Sequence, residues 1–102
     1  MQYYPVSLSI RTDKSQYTGY ENVIITVFVA KDGVPSKGER IRLLIFQPSG
    51  KRIFNSRLTT DSFGVAVALF HLQKPKVSGN YSVEAHSTDG SMGLSSFLVF
   101  SD

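Results

Sequence analysis

From Val6 to Thr12 apolar and polar residues alternate, with Val6, Leu8 and Ile10 set against Ser7, Ser9 and Arg11. A period of two is that of a strand with one face on a core. Asn22–Ala30 reads NVIITVFVA, nearly all β-branched or aromatic, and predicts a strand buried on one face and partly covered on the other. Arg40–Gln47, Arg52–Thr59, Val65–Leu72, Asn80–Ser87 and Leu94–Phe100 continue the series, which makes seven candidate strands in 102 residues. Asp32-Gly33 with Pro35, Pro48-Ser49-Gly50, Asp61-Ser62-Phe63-Gly64, Pro75–Gly79 and Asp89-Gly90 punctuate them as turns. No window repeats apolar residues at three and four, so no helix is expected, and without crossover helices the pairing is largely antiparallel. The pattern predicts an all-β fold, an immunoglobulin-like antiparallel β-sandwich of about seven strands, occupying residues 1–102 as a single domain.

Composition narrows the function classes. Hydrophobic residues at 41% and charged residues at 19% fit an ordered globular domain. No apolar run approaches the ~20 residues of a spanning helix, so no membrane insertion by this segment is expected. The net charge is +3, but the eleven basic residues run from Arg11 to Lys76, and Lys51-Arg52 is their only adjacent pair. That dispersion argues against a nucleic-acid footprint. Zero cysteines remove disulfides, thiol catalysis and cysteine-ligated zinc. The opening MQYYPVSLSI lacks the basic start and long apolar stretch of a signal peptide. The ends stop close to the outer strands, and the chain reads as a domain excised from a longer one, whose signal would lie upstream.

Residues able to carry chemistry are sparse. His71 and His86 have no second His, Cys or carboxylate at ligand spacing, although Glu84 shares a strand face with His86. Both read as solvent-facing strand residues. No serine stands in Gly-x-Ser-x-Gly or Ser-x-x-Lys. Asp13, Asp61 and Asp89 are isolated beside turn residues and read as turn formers. Asp89-Gly90-Ser91-Met92-Gly93 has no helix start behind it, so it reads as a hairpin turn and not a phosphate loop. Asn80-Tyr81-Ser82 is a glycosylation sequon at a strand start. No catalytic residue, metal ligand or cofactor is expected.

At Thr12-Asp13-Lys14-Ser15-Gln16-Tyr17, followed by Glu21-Asn22-Val23, the chain resembles the macroglobulin domains of the alpha-2-macroglobulin and complement superfamily. In that family Thr-Asp-Lys, a Tyr three residues on, and Pro-Gly-Glu introduce the second strand. Pro48-Ser49-Gly50-Lys51, Thr60–Val65 and Ser78–Val83 extend the resemblance to most of the chain. Bacterial Ig-like repeats share the last two segments; the Thr-Asp-Lys start favours the macroglobulin side. Gly19-Tyr20 departs from the usual Pro-Gly, so the turn is expected to shift or to carry its φ differently. The resemblance implies a scaffold domain. Its thioester sequence, Gly-Cys-Gly-Glu-Gln, is absent here, and no reactive residue transfers. Gly64 is expected to permit the tight entry into the strand Val65–Leu72. Tyr81 takes the place of a tyrosine-corner residue, its ring buried and its hydroxyl bonded to a loop.

One surface stands out. If Ile41, Leu43 and Ile45 point inward, Leu44 and Phe46 point outward, and Phe97 and Val99 inward put Leu98 and Phe100 outward. These four are a candidate interface, in one sheet and separated by a strand carrying Ser82, Glu84 and His86. The reading is a non-catalytic structural and interaction module of an extracellular or cell-surface protein. Its expected partners are neighbouring domains of the same parent chain, a further protein, or a second copy in weak self-association. The alternative is an adhesin-type or carbohydrate- or protein-binding module working through strand-end loops, with Tyr3, Tyr4 and Tyr20 as its exposed aromatics.

Overall fold

A computed structural model of the chain describes residues 6–18, 20–72 and 78–100. Nine strands are present among them: β1 (Val6–Thr12), β2 (Gln16–Thr18), β3 (Asn22–Lys31), β4 (Val34–Pro35), β5 (Arg40–Phe46), β6 (Arg52–Thr59), β7 (Val65–His71), β8 (Gly79–Ser87) and β9 (Met92–Phe100). The seven expected strands all form, with bounds moved by a residue or two. The additions, β2 and β4, are three and two residues long, too short to show a period.

The strands make two sheets. In the first, β1 pairs with one edge of β3, while β7 and the short β4 share the other edge. The second runs β2-β9-β8-β5-β6. Every pairing is antiparallel except β2 with β9, which is parallel. The chain therefore leaves the first sheet after Thr12 and joins the second at Gln16.

Alternation packs the two sheets together. Val23, Ile25, Val27 and Val29 of β3 face Ile41, Leu43, Ile45 and Val83 of the second sheet, all buried. Phe97 of β9 stacks on Tyr81 at 5.4 Å between centroids and meets the edge of Tyr17 at 5.3 Å. Phe54 and Phe70 meet at 5.3 Å between the edge strands β6 and β7, which lie in different sheets. Burial of these side chains is the main favourable contribution to folding.

The turns carry the geometry their residues specify. Asp61 Oδ1 accepts hydrogen bonds from the Phe63 and Val65 amides, and the Gly64 amide donates to Asp61 O, which closes the turn into β7. Gly90 at φ 92° turns the β8–β9 hairpin, as expected for the Asp89–Gly93 segment. Tyr20 has φ 70°, the left-handed conformation that a glycine of the usual Pro-Gly would take without cost. Gly19, Tyr3, Tyr4 and most of the Pro75–Gly79 turn lie outside the described residues.

Candidate functional site

The Thr12–Tyr17 motif occupies the crossing between the sheets, and the side chains of Thr12, Asp13, Lys14 and Tyr17 each make a bond there. Tyr17 is buried, and its hydroxyl donates to Asp13 Oδ1 at 2.5 Å while accepting from the Lys14 amide at 2.9 Å. Asp13 Oδ1 also accepts the Ile24 amide at 3.0 Å, and the Asp13 amide donates to Ile24 O at 3.1 Å. One carboxylate thus ties the crossing segment to β3 and to the ring beneath it. Thr12 Oγ1 donates to Lys14 O at 2.7 Å. Lys14 Nζ pairs with Glu21, whose other oxygen accepts from the Thr18 amide and hydroxyl. Tyr17 is thus a buried ring whose hydroxyl is tied to the crossing segment.

These bonds displace the titrations. The Tyr17 hydroxyl holds Asp13 below its ordinary 3.8, and the Lys14 ammonium with the Thr18 amide brings Glu21 from 4.5 to about 2. Burial, reinforced by the bond to Asp13, raises Tyr17 from 10.0 to about 12. Carboxylates lowered in the folded state stabilise it above their unfolded values, so stability falls as pH drops from about 5 towards 2. For Tyr17 the unfolded chain loses its proton first, so stability falls again as pH rises from about 10 to about 12. Tyr17→Phe leaves the Lys14 amide without its acceptor and should cost ~1–3 kcal/mol at neutral pH. It should also flatten the alkaline decline. Urea midpoints across pH check this; an alkaline limb identical to that of the unaltered chain would refute the assignment.

The other sequence-derived positions are dispersed. Gly64, at φ 71°, sits where β7 begins, in hydrogen-bonding contact with Val29 of β3. Tyr81 is buried on β8. His86 Nε2 lies 2.9 Å from Glu84 Oε1, and His71 Nδ1 lies 2.6 Å from Asn22 Oδ1. Among the described residues no three His, Cys, Asp or Glu side chains gather as a metal site. Asn80 of the sequon is exposed on β8.

Leu44 and Phe46 are half-buried, whereas Leu98 and Phe100 are 38% and 48% exposed on β9. The polar row Asn80, Ser82 and Glu84 of β8 runs between the two pairs, so the four form two patches and not one. Sequence reading missed a more continuous surface. On the outer face of the first sheet Ile24 stands opposite Leu69, Thr26 opposite Val67, and Phe28 opposite Val65. Val67 and Leu69 are 57% and 61% exposed. The run of apolar residues in Asn22–Ala30 signalled a covered outer face, but only pairing with β7 shows that the apolar surface is shared.

Thr60, at the head of the Thr60–Val65 motif, is a buried clasp. Its hydroxyl donates to Ser36 O at 2.6 Å and accepts the Glu39 amide at 2.8 Å, which fastens the β4–β5 loop to the end of β6.

Taken together, the fold is an immunoglobulin-like antiparallel sandwich, and its motif residues hold the sheets and turns in place. Residues 7–99 match the family model of the MG2 domain. The chain belongs to that family, the macroglobulin domains of the alpha-2-macroglobulin family. Trypsin-activated alpha-2-macroglobulin from Escherichia coli superposes with a TM-score of 0.83 at 18% identity, over 94% of this chain and 7% of that one. Salmonella alpha-2-macroglobulin reacted with methylamine gives 0.83 and 18% over 93% of this chain and 6% of that chain. The CARDB domain of a Pyrococcus furiosus protein, in complex with di-metal ions, reaches 0.60 at 14%, over 97% and 90% of the two chains. The chain thus spans only 6–8% of the length of these macroglobulin structures. No curated protein sequence matches it significantly.

Proposed function

We propose that this domain is a non-catalytic structural module of a larger extracellular or cell-surface protein, packed against neighbouring domains through its sheet faces. The observation that carries the reading is the apolar outer face of the first sheet, where Ile24, Phe28, Val67 and Leu69 stand exposed on paired strands. Contiguous apolar surface of this kind marks an interaction site, and covering it gains ~25 cal/mol per Å². Leu98 with Phe100, and separately Leu44 with Phe46, offer two smaller contacts on the opposite face, to a neighbouring domain or, weakly, to another copy. The second reading, recognition of a glycan or protein through strand-end loops, is favoured by Tyr20, a 65% exposed ring on a left-handed backbone.

Hydroxyl-radical footprinting of the 102-residue chain and of the full parent protein tests the packing. Phe28, Val67 and Leu69 should be oxidised in the isolated domain and several-fold protected in the parent. Leu98 and Phe100 report on the second face in the same experiment. Equal labelling of both faces in the two samples would remove the packing role.

A further inference from the structure

The chain has five arginines, and four of them, Arg40, Arg42, Arg52 and Arg57, stand on the adjacent strands β5 and β6. No lysine lies on either strand. The spread along the sequence that argued against a basic patch is undone by strand pairing: Arg42 stands opposite Arg57 on one side and His86 on the other. Arg40, Arg42, Arg57 and His86 line one groove of about 540 Å³, together with Ile41 and Leu58. Elsewhere Lys14 is paired with Glu21 and Lys31 with Glu39. Among the described residues none of the four arginines has a carboxylate partner, and Glu84, the one carboxylate on this face, is bonded to His86. Arg42 Nε is steadied by Asn55 Oδ1 at 3.1 Å, a bond that leaves its two terminal nitrogens to a ligand.

Like charges directly opposed across strands destabilise a sheet, so folding does not explain the Arg42–Arg57 pair. We propose that this groove is a docking site for a carboxylate-rich segment of a partner polypeptide. Guanidinium forks grip carboxylates with two parallel hydrogen bonds, which an ammonium cannot do. Arginine without lysine, set beside apolar side chains, is also the composition of protein interfaces. The groove holds no Phe, Tyr or Trp on which nucleic-acid bases would stack. The proposal concerns the second sheet and stands apart from the packing of the first.

The test is fluorescence anisotropy of a labelled Glu/Asp-rich peptide titrated with the 102-residue chain at low ionic strength. Arg42→Gln and Arg57→Gln should each weaken binding about ten-fold, the loss expected for a charge-assisted hydrogen bond. Arg42→Lys and Arg57→Lys keep the charge and lose the fork, and each should still weaken binding several-fold. Lys37→Gln, outside the groove, should bind as the unaltered chain does. Melting temperatures of the glutamine variants should be unchanged or higher, since a repulsion is relieved, and this separates lost binding from lost folding. Absence of peptide binding at millimolar concentration, or full affinity in the lysine variants, overturns the proposal. So does an oligonucleotide of equal charge that binds more tightly than the peptide.

Discussion

Replacing Gly64 by valine should unfold most of the molecule's stability margin, with a loss of ~4 kcal/mol or more against the ~5–15 kcal/mol typical of a domain. Two independent costs combine at this position. The backbone has φ 71°, which a β-branched residue adopts only under strain. An added Cβ would also lie 2.5 Å from Val29 O and 2.9 Å from the Ser36 nitrogen, both main-chain atoms. Those atoms are bonded to each other at 3.0 Å, so neither can retreat without breaking the link between β3 and the segment after β4. Gly90 provides the comparison: φ is 92° and nothing lies within 4 Å of a Cβ built there. Gly90→Ala should therefore cost only the backbone term, ~1–2 kcal/mol. Urea midpoints for the two variants should differ widely; equal midpoints would show that the close approach at Gly64 carries no weight.

Tyr81→Ala should cost ~3–5 kcal/mol, the range for truncating a large aromatic in a core. Tyr81 pairs directly across the strands with Phe97 and stacks on it with planes 18° apart. Phe97 in turn receives Tyr17 nearly edge-on, at 79°. Removing Tyr81 opens a cavity beside Phe97 and loosens the ring that the Asp13 bond holds in place. The double change Tyr17→Ala with Tyr81→Ala should consequently cost less than the sum of the single changes, because both act through Phe97. Denaturation curves supply both numbers, and a loss below about 1 kcal/mol for Tyr81→Ala would mean that the three rings do not act as a unit.

Strands long enough to show their period were legible from the sequence, and so was the inward set they bury. β3 is the clearest case, since Val23, Ile25, Val27 and Val29 alternate into the core. What escaped was whatever depends on pairing partners far apart in the chain. β2 has no period of its own and exists because Gln16–Thr18 meets Leu98–Phe100. The neighbours Leu69 and Ile24, and the opposition of Arg42 and Arg57, follow from register that local patterning does not determine. The motif around Asp13 was visible as letters, while its physics was not: one carboxylate oxygen serving both Tyr17 and the Ile24 amide requires the fold to bring β3 alongside. Tyr20 illustrates the converse. The departure from Pro-Gly was plain, and the backbone kept its left-handed turn by straining a tyrosine into it.

The crossing at Asp13–Gln16 gives the domain a mechanical direction. β1 is held in one sheet, β2 in the other, and β2 runs parallel to the terminal strand β9. Tension applied through Val6 and Phe100 pulls the two members of that parallel pair in opposite senses along their length. The β2–β9 bonds are then loaded together in shear, whereas a hairpin pulled from its open end would unzip one bond at a time. The bond between Tyr17 and Asp13 lies beside this shear plane and braces the bend. A sandwich wired in this way resists stretching at its ends while its broad faces stay free to be covered.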